Sequence, residues 1–482
     1  MTGQVEQPQS QLRAAIARGD ITPPVGIYHR MWGAALHDRS TAVHRPLTAT
    51  VLALAPSTEA ASADNIAICV ALDHCLFWPR EMNEFLDRVA RQSHVDRGRL
   101  SVYFSHTHGA GLMGIERGSL PGGDLIAGYL ERCADIVGGL VKQSLANLGA
   151  ATISYGVGRC SLATNRDYFD PQRQGFVCGF NPDKAADDTV VVGRISNERG
   201  QLLGTIINYA CHPTTLAWDN TQISPDYVGA MREVVETATR APCFFIQGAS
   251  GDVGPRMGFV GDTAQADQNG RQLGYAALGA LEGMLAANSS FKYAGAVVSG
   301  ATIGTWKSIP LSEDRQMQSS IWRQQLCEVE LEFREDLPRK QELDEALTRW
   351  QAEERLSVAA GDLGKARDAR AMAERATRRL TRVEHLPDAR SITFRSNLIR
   401  LGDAVWIPLD GEHYNLLQTT LRQRFESLTL VIGTLVNGST VWYLPDEPSF
   451  GKGLYQEEAS VLARGSLERL IEALSASIER LI

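Results

Sequence analysis

The sequence has no Cys-x-x-Cys pair. Its eight cysteines stand alone at 69, 75, 133, 160, 178, 211, 243 and 327, and they read as reduced, mostly buried thiols rather than a disulfide framework. No stretch approaches the ~20 uninterrupted apolar residues that a membrane-crossing helix needs, so stable membrane insertion is not expected. An excess of basic charge is also missing. Forty-eight Lys and Arg face 56 Asp and Glu, for a net charge of −8 and a pI near 5.8, which argues against nucleic acid or an anionic membrane surface as an electrostatic partner. Residues 1–20 are polar and contain no apolar core of an export signal, so the expected location is cytoplasmic. The small-residue stretch 247–256 lacks the Gly-Lys-Ser/Thr of a phosphate loop. Around Ser250 the order is Gly248-Ala249-Ser250-Gly251, which is not a Gly-x-Ser-x-Gly elbow. There is no internal repeat and no low-complexity tail.

What is present is a long alternation of strand-like and helix-like segments. With 482 residues, 44% hydrophobic and 22% charged, the chain can bury a large core and is expected to form more than one domain. Residues 46–55 and 66–73 read as strands joined by a hairpin-like loop over 56–65. Residues 80–92 have helical spacing, with Met82, Phe85, Leu86 and Val89 on one face. Residues 124–148 form an amphipathic helix. Strands follow at 151–158, 189–195, 202–210 and 242–246, the middle two joined by a turn over Asn197-Glu198-Arg199-Gly200. Ser224 and Pro225 fit the N-cap and first turn of a helix. Thr263 fits the cap of the next helix, over 264–286, and 294–306 reads as a strand. From about 311 to 384 the composition shifts to Glu, Arg, Gln and Ala. We read this part as two or three helices, an inserted hairpin or arm spanning 307–389. The α/β pattern resumes at 391 and closes with an amphipathic helix over 457–482, whose Leu467, Leu470, Ile471, Leu474, Ile478 and Leu481 should face inward. The expected fold is α/β: a mixed-sheet sandwich with flanking helices and its site at strand ends. Residues 1–306 and 390–482 would make up the main domain.

Polar signals collect at those strand ends. Tyr103-Phe104-Ser105-His106-Thr107-His108-Gly109 follows an apolar run. A His-x-His pair leaving a strand puts both imidazoles on one side of the pleat. His212 follows the strand 202–210, with Pro213 stopping the ladder. Glu412 follows the strand ending at Pro408. Two or three imidazoles plus a carboxylate, with one position open, form the ligand set of a catalytic zinc. Asp73 at another strand end could support a ligand histidine or simply cap a loop. Arg166 in the polar loop 159–171 could clamp a carboxylate or an oxyanion, or be a solvated loop arginine.

Ser105-His106-Thr107-His108, Asn208-Tyr209-Ala210-Cys211-His212-Pro213-Thr214, Ser224-Pro225-Asp226-Tyr227, the stretch 247–255, Gly411-Glu412, and Tyr443 with Tyr455-Gln456-Glu457 occur in one order. In this the sequence resembles the catalytic domain of the neutral/alkaline (non-lysosomal) ceramidase family. The resemblance covers most of the chain outside the helical arm and implies hydrolysis of an N-acyl amide with one zinc ion. It implies that His106, His212, Glu412 and Tyr443 hold Zn²⁺. It also implies that His108, Arg166 and Tyr455 stand in the active site. The family's Gly-Asp-Val-Ser-Pro reads Gly251-Asp252-Val253-Gly254-Pro255 here, with Gly254 in place of a serine, and Gly109-Ala110 replaces the Ser-Gly after the histidine pair. The family's secretion signal and C-terminal immunoglobulin-like domain have no counterpart. The expectation is therefore a zinc-dependent amidohydrolase that uses metal-activated water on a soluble small molecule rather than membrane ceramide. His108 would be the general base and then acid. Arg166 and the backbone amides of 251–254 would stabilise the oxyanion. An ester or lactone hydrolase on the same site, and a non-catalytic binding or assembly protein on the same scaffold, are the alternatives. Homo-oligomerisation is left open.

Overall fold

Two mixed sheets pack face to face, and their shared interior explains which strands are apolar on both sides. The computed structural model describes residues 3–57 and 65–482, so residues 58–64 of the expected hairpin loop lie outside the described part. The larger sheet has eight strands: β1 (Gln9–Asp20), β2 (Thr48–Pro56), β3 (Ala67–Leu72), β4 (Leu100–Phe104), β5 (Gly149–Arg159), β6 (Thr189–Asn197), β7 (Leu202–Tyr209) and β8 (Cys243–Gln247). Their spatial order is β8-β7-β6-β5-β1-β2-β3-β4. The middle is antiparallel, and each edge is a parallel pair, β7 with β8 and β3 with β4. A parallel pair needs a crossover. Helix α1 (Pro79–Ser93) provides it between β3 and β4. Helices α2 (Ile126–Ala146), α3 (Tyr227–Thr239), which crosses between β7 and β8, and α4 (Thr263–Glu282) cover the same outer face. Covered on both sides, β3 and β8 are buried at every residue. Helix α1 starts with Pro79 in its first turn and buries Met82, Phe85, Leu86 and Val89, as their spacing predicts.

The second sheet holds β9 (Trp322–Glu332), β10 (Ser391–Leu401), β11 (Ala404–Pro408) and β12 (Thr429–Gly433), in that order. Leu401, Trp406 and Val431 from this sheet share one core with Leu54, Tyr103, Ile153 and Ile246 of the larger one. Helix α7 (Ser466–Leu481) covers its outer face and buries all six residues of its predicted apolar stripe. The result is helices, sheet, sheet, helix: a mixed α/β sandwich.

Several local expectations are corrected. Inside the segment set apart by composition, α5 (Lys340–Ala359) and α6 (Leu363–Glu384) form a helical hairpin, but β9 is a strand, hydrogen-bonded along its length to β10. Its Cys-Glu-Val-Glu-Leu-Glu alternation buries Cys327 and Leu331 and turns Glu328 and Glu330 outward to Arg395, Ser391 and Thr393. The charge of that outward face hid a period of two. The strand read at 294–306 is a hairpin, Ser289–Ser299 and Ala301–Pro310, turning at Gly300. Helix α3 is capped by Asp226 and α4 by Asp262, not by Ser224 and Thr263. The closing helix is broken at Gly465, whose φ of +85° admits no easy side chain.

Asp73 supports no ligand histidine. It accepts two hydrogen bonds from Arg232 of α3, at 2.7 and 2.8 Å, and one from the Thr48 amide at 2.8 Å, tying the end of β3 to the crossover helix. Both partners are buried. Burial raises the Asp73 carboxyl, but Arg232 and Thr48 outweigh it and hold it below its ordinary value. Its contribution is therefore complete above pH ~4 and disappears as the pH falls below that value. Asp73→Asn, which strands the guanidinium, should cost ~3–5 kcal/mol in urea unfolding at pH 7. The gap between wild type and variant should narrow as the pH falls below ~4. An equal loss at every pH would show that the charge pair is not what Asp73 provides.

Candidate metal centre

Each of the four side chains predicted to share a metal is placed by backbone at the end of a strand. After β4 the chain leaves the sheet, yet the Ser105 amide still bonds Leu72 O and the His106 amide bonds His74 O, both at 2.9 Å. His106 adopts a left-handed φ of +66°, a conformation that costs a non-glycine ~1 kcal/mol or more and that these bonds hold in place. Three residues after β7, the His212 amide donates to Val253 O at 3.1 Å. Glu412 follows β11 without entering a helix. Glu412–His413 is a two-residue strand running parallel to Tyr443–Leu444, with Glu412 directly opposite Tyr443. Gly411 makes this register possible. Its φ is +92°, and a Cβ there would lie 2.7 Å from Val441 Cγ2 and 2.8 Å from Trp442 O.

The four groups meet. His106 Nε2 and His212 Nε2 are 2.9 Å apart. Glu412 Oε2 lies 3.2 Å from the first and 3.3 Å from the second. The Tyr443 hydroxyl is 3.3 Å from His212 Nε2. The other nitrogen of each ring is engaged outward: His106 Nδ1 donates to Cys75 O at 2.8 Å and His212 Nδ1 to Ser250 O at 2.9 Å. Those bonds put the hydrogen on Nδ1 and point both Nε2 lone pairs inward. Two lone pairs at that distance repel unless a proton or a cation lies between them. Burial opposes charge on both rings. On His106 the Cys75 thiol and the Glu412 carboxylate outweigh it, and the ring is raised well above its ordinary value. On His212, burial acts with the Arg166 guanidinium and His106 to lower it to about 3. Two imidazole nitrogens, a carboxylate oxygen and a phenol oxygen are a donor set that fits zinc. Cys75, His106 and His108 also lie close together, but His106 faces that group with its engaged Nδ1.

Around the centre stand the remaining predicted residues. The His108 ring lies 5.1 Å from His106, 5.7 Å from His212 and 5.0 Å from Trp32. Both of its nitrogens are buried without a partner. Burial, then the charges of His106 and His212, hold it well below its ordinary value, and Arg378 adds to the effect. Arg166 is no solvated loop residue. It is buried, and its Nη2 donates to Tyr443 OH at 3.1 Å and to Gly251 O at 2.6 Å. The Tyr455 ring packs 5.8 Å from that of Tyr443. A Cβ on Gly254 would meet Thr214 Oγ1 at 3.6 Å and His212 Cβ at 3.9 Å, so a small side chain would fit there. Two of the expected oxyanion amides are engaged elsewhere: Gly251 N bonds His413 O and Val253 N bonds Ser250 O, so neither is free to donate to a ligand. The sequence reading missed four residues: Thr214, with a buried unpartnered hydroxyl, Trp32, Arg378 and Arg382. Thr214 stood inside the motif around His212, whereas the other three carry no local signal.

No protein-family model matches the chain, and no curated protein matches its sequence. Among solved structures it is similar to neutral ceramidase from Pseudomonas aeruginosa, at a TM-score of 0.62 and 12% identity over 98% of this chain and 75% of that one. It is also similar to a ceramidase complexed with C2, at a TM-score of 0.62 and 13% identity over 98% and 76% of the two chains. The chain has the neutral ceramidase fold.

Gly411→Ala should force the Glu412–Tyr443 pair apart. We expect a loss of ~1–3 kcal/mol in stability and weaker retention of zinc against a chelator. Gly139→Ala, in α2 with nothing within 4 Å of the added carbon, should leave zinc retention unchanged. Equal retention in wild type and Gly411→Ala would separate the ion from this register.

Proposed function

We propose that the chain is a zinc-dependent hydrolase that cleaves an N-acyl amide of a soluble small molecule with water. The observation that carries this reading is the pair of inward Nε2 lone pairs on His106 and His212, fixed by carbonyls behind them, with Glu412 and Tyr443 beside them. The likeness in fold to neutral ceramidases supports it. His106, His212, Glu412 and Tyr443 would hold the ion. When bound, zinc supplies Lewis-acid polarisation of an acyl oxygen and makes water more acidic.

The chain's own groups do the rest. His108, uncharged and with neither nitrogen engaged, takes a proton from the attacking water and delivers it to the departing amine. The C–N bond breaks as the C–O bond forms, giving a carboxylic acid and an amine. Arg166 holds the Tyr443 oxygen in place and brings positive charge toward the acyl oxygen. The Thr214 hydroxyl, buried and unpartnered near His212 and Gly254, is positioned to donate to the same oxygen. Gly254 itself carries no hydroxyl to form an acyl-enzyme, and the Thr214 hydroxyl serves as a hydrogen-bond donor in this reading, so water attacks directly.

The test is a panel of N-acyl amides with matched esters, run on zinc-loaded wild type and His212→Ala. Amide turnover that falls at least ~100-fold in His212→Ala is expected, the loss of a few kcal/mol of transition-state stabilisation. Intact-mass spectra during turnover should show no acyl adduct. Absence of turnover across the panel would overturn the amidase reading; turnover confined to esters would move the reaction to that bond; a stable adduct would overturn direct attack by water.

A further inference from the structure

Next to the metal centre a cavity of about 360 Å³ opens between helix α6 and the turn that carries Tyr455. Helix α6 lines it with Arg375, Arg378 and Arg382, spaced three and four residues apart and so on one face, and with Glu374; Glu458 also lines it. The cavity and the centre share a wall. Tyr455 lines the first and stacks edge-on against Tyr443 of the second, and the Arg382 guanidinium lies 5.2 Å over the ring of Trp442, the residue before Tyr443. The helix is pinned here. Arg117 grips Glu374 through two bonds, at 2.9 and 3.0 Å, Arg378 bonds the same carboxylate at 2.8 Å and also Met31 O, and Ala371 sits against Gly33.

The positive charges outnumber their partners. Arg117 pairs with Glu116 and shares Glu374 with Arg378, and Glu458 serves both Arg375 and Arg379. Arg382 pairs with no carboxylate among the described residues. It is only 7% exposed and its Nε is buried without a partner. Its one side-chain hydrogen bond among the described residues is a long 3.4 Å contact to the Tyr455 hydroxyl. Arg379 is lowered from its ordinary value by burial and then by Arg375, Arg382 and Arg334, which registers the same local excess. A buried guanidinium without a counter-ion is costly to keep. It becomes favourable when a carboxylate docks against its fork through two charge-assisted bonds.

We infer that this cavity is an anion subsite of the metal centre and that the substrate is an N-acyl amino acid, whose carboxylate is read by Arg382 with Arg378 behind it. This rests on the hydrolase reading, and the experiment separates the two. N-octanoylglycine and N-octanoylglycinamide differ only in the charged group. Binding of each to the full chain is measured by calorimetry, with zinc and after chelation, at low and high salt, for wild type, Arg382→Met and Arg382→Lys. Turnover of both is followed in parallel. Wild type should bind the carboxylate at least ~tenfold tighter, the ratio that ~1.4 kcal/mol of charge-assisted bonding supplies, and salt should shrink the preference. Arg382→Met, which keeps an apolar stem over Trp442, should abolish it. Arg382→Lys, which keeps charge without the fork, should restore part of it. Equal affinities in wild type, or a preference that survives Arg382→Met, would overturn the subsite. If Arg382→Met does not fold, the wild-type pair and its salt dependence decide alone. A charge preference with turnover of neither compound would support the subsite and count against the hydrolase.

Discussion

Everything at the candidate site depends on two lone pairs held face to face. The Cys75 and Ser250 carbonyls take the Nδ1 hydrogens of His106 and His212 and leave both Nε2 atoms aimed at one point, 2.9 Å apart. Left alone, that arrangement is repulsive, and the chain supplies only one proton's worth of relief. The Glu412 carboxylate is held well below the usual range, because two imidazoles outweigh its burial. It therefore contributes negative charge, not a hydrogen, to the same point. A divalent cation would resolve the conflict that the backbone has built.

The sandwich exists, from this viewpoint, to hold those carbonyls and strand ends still. His106 leaves an edge strand of the larger sheet, and His212 leaves β7 next to the opposite edge. Glu412 and Tyr443 come from a two-residue bridge beyond the second sheet. The shared core of the two sheets, with Tyr103, Ile246 and Trp406 interdigitating, sets the distance between these sources. The Asn208 side chain crosses between sheets, bonding Ile246 O, Ile432 O and the Ile432 amide. So β7, the strand that precedes His212, is joined by hydrogen bonds to β12 of the other layer.

How much of this the sequence disclosed follows the range of the interactions. His106 and His212 were legible because a period-two run, an abrupt stop and an imidazole all fall within a few residues. The inward stripe of α7 was legible for the same reason. Tyr443 was not: its neighbours say only that an aromatic lies by a turn, and the resemblance to a family supplied it. Arg232 as the partner of Asp73 was hidden by a separation of 159 residues. Strand β9 was hidden by composition, since the charge of its exposed face outweighed an alternation that was present all along. Arg382 was hidden most deeply. It lies in a helix rich in arginine, and only the packing against Trp442 and Tyr455 in the fold reveals that this one is buried.

If the proposed anion subsite holds, that burial also bears on how a fold shared with ceramidases would take a charged substrate. A lipid amide presents hydrocarbon to its site, and the favourable lining for hydrocarbon is apolar. Here the cavity beside the centre is lined by helix α6, which brings Arg375, Arg378 and Arg382 to it together with Glu374. The helix is anchored by the Arg117–Glu374–Arg378 cluster, in which Glu374 is held to about 2 against the pull of its burial by the two guanidiniums. Such an anchor fixes the position of the arginines on the adjacent turns, so the charge lining the cavity is preorganised rather than draped over it. Preorganised charge discriminates by what it rejects as well as by what it binds, since an uncharged ligand leaves the buried guanidinium unsatisfied. The metal centre would set the reaction, and the helical hairpin would set which molecules reach it.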